Sequence, residues 1–299
     1  MHNDKPKKKD FVDGSCPACL ISRVLKLNKS VLTGLILVFI LSLVAGLAPY
    51  IAPYDPTEMH PLDRFSGPSG RYLLGTDFYG RDILSRIIYG LRTSLQVSFL
   101  SVALAASLGV GLGIAAGYFP RLDNLIMRVM DVMFAFPVLL LAITIVAILG
   151  PGKFSTIIAI AIVYVPIFSR VARGPTLAVR EETYVEAARA LGASNYRIIL
   201  RHILPNISVP IFVQSTVQLA SAILFESALS FLGLGTQPPL PSLGLMVSDG
   251  RPYLEISPWG TVFPGVAIAI VVLGFNLLGD GLQQALNPQL QRRKGGRTD

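Results

Sequence analysis

The sequence predicts an all-α polytopic membrane protein with six transmembrane helices, and its composition is the first reason. Of its 299 residues, 52% are hydrophobic and only 15% are charged, whereas a soluble domain carries about 25% charged residues. The mean hydropathy of +0.58 is typical of a chain that faces lipid. This balance excludes a disordered protein and argues against an ordinary cytosolic enzyme.

Six apolar runs are the second reason, because about 20 mostly apolar residues cross the hydrocarbon core as a helix. Lipid offers the backbone no hydrogen-bond partner, and the runs lack the alternation of barrel strands, so each is expected to be helical. The first run is too long and too far from the N-terminus for a signal peptide, which predicts a retained span. The runs cover residues 31–50, 94–118, 130–149, 156–171, 210–234 and 262–282.

The basic residues predict the orientation. With the N-terminus in the cytoplasm, 19 of the 26 Lys and Arg residues lie inside and 7 outside, as expected for cytoplasmic loops. Both termini are therefore predicted to be cytoplasmic, and the net charge of +8 needs no nucleic acid to explain it. The predicted segments are a cytoplasmic tail (1–30), a first transmembrane helix (31–52), an external segment (53–93), a core with five transmembrane helices (94–288) and a cytoplasmic tail (289–299).

The external segment opposes this charge rule, because it contains five arginines. Prolines make its first half irregular. Its second half places Ile83, Ile87 and Leu91 on one helical face and Arg86 near the other. This pattern predicts an interfacial amphipathic helix that leads into the second span, with arginines reaching towards the headgroups.

The motifs that could indicate catalysis are incomplete in this sequence, so the chain is not expected to be an enzyme, to hold a metal or to bind a cofactor. Residues 150–155 superficially resemble a phosphate loop but lack its spacing, and they predict a hairpin between spans three and four. Cys16 and Cys19 have redox or metal spacing without a suitable context or further ligands, so they are interpreted as free thiols on a tail. No Ser/His/Asp set can be built, because the three histidines lie on separate segments, at His2, His60 and His202.

Acidic residues within the spans suggest a functional role by default. Glu226 is the deepest of them, whereas Asp131 and Asp280 lie nearer the ends of their runs. An ion-coupled carrier needs several such groups and broken helices in matching repeats. Glu226 is therefore interpreted as structural, hydrogen-bonded inside the bundle or facing a partner subunit.

Small residues mark one face of the second span. Gly109, Gly113 and Gly117 recur every four residues, a spacing that lets another helix approach closely. We interpret this face as helix packing, within the chain or across a dimer.

The loop at 172–209 has the pattern of a docking surface. Residues 183–191 favour a helix, which Gly192 is expected to end. Residues 197–204 favour a second helix, which Pro205 is expected to break before the membrane. Two short helices joined at a glycine form a compact knob suited to a groove on a partner.

This loop resembles the EAA loop of ABC importer permeases, in which it forms the coupling helix that docks on the ATPase subunit. The resemblance depends on Glu186, Ala187, Ala188, Gly192, Leu204 and Pro205. The general family pattern has Ile where this chain has His202, but the His-Ile-Leu-Pro-Asn form is similar to the peptide-type subfamily. Residues 74–86, 230–235 and 274–288 also resemble the C-type subunit of dipeptide, oligopeptide and nickel permeases.

The resemblance implies a type I ABC importer transmembrane domain in the bacterial cytoplasmic (inner) membrane, surrounded by lipid. It implies four protein partners: a paralogous permease subunit, two cytoplasmic ATPase subunits that use ATP, and an external or periplasmic substrate-binding protein. The implied cargo is a di- or oligopeptide, with nickel or a modified peptide such as glutathione as the alternative. An ion-coupled secondary carrier and a structural scaffold are the alternatives outside the family.

Overall fold

The computed structural model describes residues 29–286, with side chains from 31 to 284, and this part of the chain is almost entirely helical. One isolated antiparallel bridge, between Thr76 and Asp82, is the only β-type pairing in that range. Cys16, Cys19 and His2 lie outside the described residues, as do nearly all of the two predicted tails.

Eleven α-helices occupy the described range. They are α1 (Lys29–Gly46), α2 (Ala48–Ile51), α3 (Ile83–Tyr118), α4 (Pro120–Ala135), α5 (Val138–Leu149), α6 (Lys153–Arg180), α7 (Thr183–Ala190), α8 (Asn195–Ile198), α9 (Leu204–Phe231), α10 (Leu243–Gly250) and α11 (Trp259–Leu286). A π-helical turn, Ile199–Ile203, joins α8 to α9.

All six apolar runs are helical, but they are not six equal crossings. In the described residues four helices are long and apolar enough to span a membrane: α3, α6, α11, and α8 with α9 taken together as Asn195–Phe231. The apolar part of α1, Val31–Gly46, is shorter. At about 1.5 Å per residue it measures roughly 24 Å, less than the hydrocarbon core of about 30 Å.

The third run, 130–149, is wrong as one straight span. It breaks at Phe136 and Pro137, and α4 and α5 meet there at 94°. Pro137 lacks an N–H and drives the preceding residue into an extended conformation, and Phe136 adopts φ −89° and ψ 137°. The two helices therefore form an elbow instead of a rod.

The pair α3 and α6 forms the centre of the bundle, and glycines on α3 set their separation. A Cβ added at Gly109 would lie 2.6 Å from the Cβ of Phe168, and one at Gly113 would lie 2.3 Å from the carbonyl oxygen of Ser169. At Gly117 the nearest atom would be 2.8 Å away, on Thr176. The glycine face of α3 thus packs against α6 of the same chain.

A second glycine contact joins α1 to α11, and the sequence patterns did not indicate it. A Cβ at Gly34 would lie 2.5 Å from the backbone nitrogen of Leu278, and one at Gly281 would lie 2.5 Å from Val31. These glycines lie on two helices at opposite ends of the chain, so spacing along one helix could not reveal the pair. The contact fastens α1 to the rest of the bundle.

The two ends of the bundle differ. We call residues 181–203 the knob and residues 53–82 with 235–258 the cap. The cap surrounds the start of α3, where Asp82 accepts a hydrogen bond from the backbone N–H of Ser85 at 2.8 Å. The knob contacts the other end of α3, about 54 Å away for 36 residues at about 1.5 Å each.

The predicted interfacial helix is not a separate element of the structure. Residues 83–95 are the first turns of α3, which continues without a break. The side chain of Arg86 is only 3% exposed and lies between Asp77 and Asp249. Arg86 therefore points into the protein, because two carboxylates there offset the cost of burying its charge.

Candidate coupling site

The knob begins with α7, whose end is fixed by a backbone motif. The N–H of Ala193 donates to the carbonyl of Ala188 at 3.0 Å, and the N–H of Gly192 donates to the carbonyl of Arg189 at 3.0 Å. This pair of hydrogen bonds is the Schellman motif, which requires a left-handed residue just past the helix. Gly192 provides it with φ +83°, so the predicted helix stop has its expected physical cause.

The chain then reverses into α8. Ser194 precedes this helix, and its hydroxyl accepts a hydrogen bond from the backbone N–H of Arg197 at 3.4 Å. A serine at this position satisfies one of the free N–H groups of a helix start. The knob is therefore two short helices joined by a tight, hydrogen-bonded turn.

Pro205 does not break the second helix, and this corrects the sequence expectation. Pro205 lies in the first turn of α9, where its missing N–H costs little, and the π turn 199–203 precedes it. The wider π turn shifts the backbone that a proline ring would otherwise contact in the preceding turn. Helical backbone consequently runs without a break from α8 in the knob, through the π turn, into the spanning helix α9.

Apolar side chains hold the knob against the bundle. Val185 of α7 and Ile198 of α8 are fully buried. They belong to a cluster whose other buried members come from the spanning helices and the π turn: Ile114, Tyr118, Ala172, Ile203 and Ile207. Burial of such side chains stabilises by about 1.5–3 kcal/mol each, so the knob is firmly seated.

Polar contacts add to this attachment. Arg180, the last residue of α6, donates from its guanidinium to the carbonyl oxygen of Gly117 on α3 at 3.0 Å and to the carboxylate of Glu181 in the knob at 2.7 Å. The hydroxyl of Tyr118 donates to the side-chain oxygen of Asn195 at 2.8 Å. Force applied to the knob therefore reaches the ends of α3, α6 and α9 directly.

Asn206 closes the other side of the knob. Its side-chain amide donates to the carbonyl oxygen of His202 at 2.6 Å and to the hydroxyl of Tyr184 at 3.2 Å. Partial burial raises the pKa of the Tyr184 phenol, and the nearby Glu182 carboxylate adds to the increase. The phenol therefore stays protonated and remains a neutral hydrogen-bond partner at neutral pH.

The outward face of the knob is accessible. Glu186, Ala187 and Gly192 are exposed, as is Pro205, whereas Ala188 and Leu204 are partly buried. The six predicted coupling residues are thus divided between the surface and the attachment.

Sequence reasoning missed two large apolar side chains on this face. Leu191 is 88% exposed and Tyr196 is 74% exposed, on either side of Gly192. An apolar residue beside a helix-ending glycine in a charged loop was the available signal. Two exposed apolar groups on a rigid support are suited to a hydrophobic groove.

Glu226 is a buried carboxylate on the spanning helix α9. It is fully buried, and its two oxygens accept hydrogen bonds from the hydroxyls of Ser94 at 2.7 Å and Ser230 at 2.8 Å. Among the described residues no group of three His, Cys, Asp or Glu side chains is placed to bind a metal ion. Glu226 is therefore a hydrogen-bonded group inside the bundle.

Two known protein families match parts of this chain. Residues 107–292 match the family described as binding-protein-dependent transport system inner membrane component. Residues 20–68 match the N-terminal TM domain of oligopeptide transport permease C.

Two curated relatives are similar over most of their length. The dipeptide transport system permease protein DppC of Alkalihalophilus pseudofirmus is 50% identical over 268 residues, which is 89% of this chain and 88% of the relative. The glutathione transport system permease protein GsiD of Pectobacterium atrosepticum is 43% identical over 271 residues, 90% of each chain.

A solved structure shares the fold. An inward-facing form of the MetNI methionine ABC transporter has a TM-score of 0.56 at 17% identity, covering 69% of this chain and 98% of the other. This similarity supports the type I ABC importer fold. The chain belongs to the inner membrane component family of binding-protein-dependent transport systems, as a C-type permease subunit of an ABC importer.

Proposed function

We propose that this permease carries di- or oligopeptides across the bacterial inner membrane, with the knob as the point where ATPase subunits drive the movement. The observation that carries the proposal is a rigid knob, joined to three spanning helices, that exposes Leu191 and Tyr196. The relatives named for dipeptide and glutathione transport support a peptide cargo.

The partners follow from the family. A paralogous permease subunit would complete the path, two ATPase subunits would bind and hydrolyse ATP, and an external binding protein would deliver the solute. ATPase subunits that bind the knob are cytoplasmic, so the knob and both chain termini would lie in the cytoplasm and the cap outside. Nothing in the proposal requires a cofactor on this chain.

Coupling then has a mechanical basis. ATP binding draws the ATPases together, and each carries a knob with it. The knob is continuous with α9 and hydrogen-bonded to α3 through Tyr118. Movement of the knob therefore moves these helices and switches the path between two states. ATP and solute each bind one state better, which is the condition for coupling.

A cargo such as glutathione has one specific observation in its favour, the 43% identity to a glutathione permease. Nickel has none among the described residues, since no metal-binding cluster is present there. An ion-coupled carrier is not favoured, because the chain belongs to a family of ABC importer permeases.

The test uses the complete transporter reconstituted in liposomes, with peptide uptake and ATP hydrolysis measured together. Glu186→Lys reverses a charge on the exposed face, and Gly192→Pro cannot adopt the φ of +83° that the turn requires. Both variants are expected to insert in the membrane and to lose peptide uptake.

The matched control is Glu255→Lys, which reverses an exposed carboxylate on the cap instead of the knob. This control should keep peptide uptake coupled to ATP hydrolysis. Normal uptake with intact ATPase coupling in Glu186→Lys and Gly192→Pro would refute the docking proposal. A wild-type transporter that carries no peptide would refute the cargo.

A further inference from the structure

The helix α4 packs against its own chain along one narrow side. Met130 is the only residue of α4 that is buried within the described part of the chain. Another side carries a stripe of large apolar side chains that are between 41% and 65% exposed: Leu122, Leu125, Val129 and Val132. They are spaced by three and four residues, so they share one face of the helix. This face is free to contact lipid or another protein.

Two arginines border the stripe. Arg121 and Arg128 are exposed and lie about two turns apart on one side of α4, three or four residues from members of the stripe. Neither forms an ion pair or a side-chain hydrogen bond with another residue between 29 and 286. The two aspartates of α4 are instead bound to arginines of α6. The stripe is therefore bordered by positive charge that this part of the chain does not neutralise.

The ion pairs with α6 show how α4 is oriented. Asp131 binds Arg170 and Asp123 binds Arg173, each at 2.5 Å. The two contact points are eight residues apart on α4, about 12 Å, but three residues apart on α6, about 4.5 Å. The helix α4 therefore crosses α6 at a steep angle, and the chain turns by 94° directly after it.

The level of α4 in the membrane follows from the same contacts. The helix α6 ends at the knob and begins on the cap side at Lys153, a charge that belongs at the edge of the hydrocarbon. Arg170 and Arg173 lie 17 and 20 residues further along, which is about 26 and 30 Å. Because the hydrocarbon core is about 30 Å thick, these arginines hold α4 where the core ends and the headgroups begin, on the knob side.

We propose that α4 is an interfacial helix that binds anionic phospholipid, with its apolar stripe among the acyl chains and with Arg121 and Arg128 on the phosphates. An amphipathic helix of this charge pattern binds a membrane surface through apolar burial and through attraction to anionic lipid. Assigning this surface to the cytoplasmic leaflet rests on the proposed function, whereas the binding of lipid does not. A protein partner on the stripe, such as the paralogous permease, is the other possible occupant that the test distinguishes.

The experiment uses the complete transporter in nanodiscs of phosphatidylcholine. All its cysteines, including Cys16 and Cys19, are replaced by serine, and a bimane fluorophore is attached at Leu125→Cys. Phosphatidylglycerol or phosphatidylcholine with the same nitroxide on the acyl chain is then titrated in, and each quenches the fluorophore only where it touches the stripe. The local binding constant of phosphatidylglycerol should exceed that of phosphatidylcholine by at least about fivefold, because two arginines attract its charge. Both leaflets have the same composition, so the result does not depend on the orientation of the chain.

Three sets of variants identify the source of this preference. Arg121→Gln combined with Arg128→Gln should bring the two binding constants to within about twofold of each other. Arg121→Lys combined with Arg128→Lys keeps the charge and should keep most of the preference. Arg64→Gln is the matched control, because Arg64 is an exposed arginine on the cap, and it should leave the preference unchanged. All three side chains are exposed, so the variants are expected to insert in the membrane.

Every outcome decides the proposal. Absence of quenching by both lipids would mean that protein covers the stripe, and equal quenching by both would mean that α4 meets lipid without selecting charge. Either result, or a preference that survives the double glutamine variant, would overturn the proposal. A complex that moves no peptide would refute the proposed cargo, while the quenching would still decide whether α4 binds anionic lipid.

Discussion

At the scale of single residues, glycines decide how closely the helices approach. At Gly113 a Cβ would lie 2.3 Å from a carbonyl oxygen, whereas at Gly111, two residues earlier on the exposed face, a Cβ would have no atom within 4 Å. Glycine at position 113 is therefore needed for close helix packing, whereas glycine at position 111 is not. Only the neighbouring helix distinguishes them.

This contrast predicts different effects of the same substitution. Gly113→Ala should destabilise the protein by about 1–3 kcal/mol, because α3 and α6 must separate to admit the methyl group. Gly111→Ala is the matched control and should stabilise the helix by up to about 1 kcal/mol, since it removes backbone entropy without a clash. Thermal unfolding of the purified protein in detergent measures both, and equal melting temperatures would contradict the close contact.

At the scale of elements, the knob combines a rigid inner side with an apolar outer side. Val185 of α7 and Ile198 of α8 are buried, whereas Leu191, directly after α7, and Tyr196 of α8 are exposed. The Schellman turn at Gly192 sets the angle between these helices. The knob therefore presents its outer face in one orientation.

The knob predicts how the ATPase subunits are held. Leu191→Ser combined with Tyr196→Ser should weaken their association by at least about tenfold, because central apolar contacts dominate such interfaces. Membrane insertion should be unaffected, since neither side chain is part of the buried cluster. Co-purification and titration with the ATPase subunits provide the measurement.

Leu62→Ser is the control for this prediction, because Leu62 is fully exposed on the cap. It should bind the ATPase subunits like the wild type. Equal binding by the Leu191→Ser/Tyr196→Ser variant would mean that the apolar face of the knob is not the contact.

At the scale of the whole molecule, the knob and the cap lie at opposite ends of α3. The basic residues predict that the knob end is cytoplasmic. Among the described residues, four helices are long and apolar enough to cross a membrane, the bent pair α4 and α5 could be a fifth crossing, and the apolar part of α1 is shorter. Sidedness is therefore best measured at the two ends and not inferred from a count of spans.

Single-cysteine labelling tests this orientation. With Cys16 and Cys19 replaced by serine, Leu62→Cys should react with a membrane-impermeant maleimide in intact spheroplasts. Leu191→Cys should react only in inside-out vesicles. The reverse pattern would invert the topology and would contradict the placement of the ATPase subunits.

Local patterns were sufficient for several features. The helical runs follow from apolar length, the turn at 150–152 from its glycines, and the end of α7 from Gly192. Each of these depends on residues close together in the chain. The expected break at Pro205 was wrong because the π turn before it, which depends on the surrounding structure, accommodates the proline.

The sequence by itself determined that the chain is a helical membrane protein with a knob between its fourth and fifth apolar runs, and its motifs identified the family. Tertiary structure alone decided the elbow angle, the fastening of α1 to α11 and the buried helix α10. Arg86 shows the physical reason. Its charge suggests a headgroup contact in sequence, yet Asp77 and Asp249, one of them 163 positions further along the chain, make burial favourable.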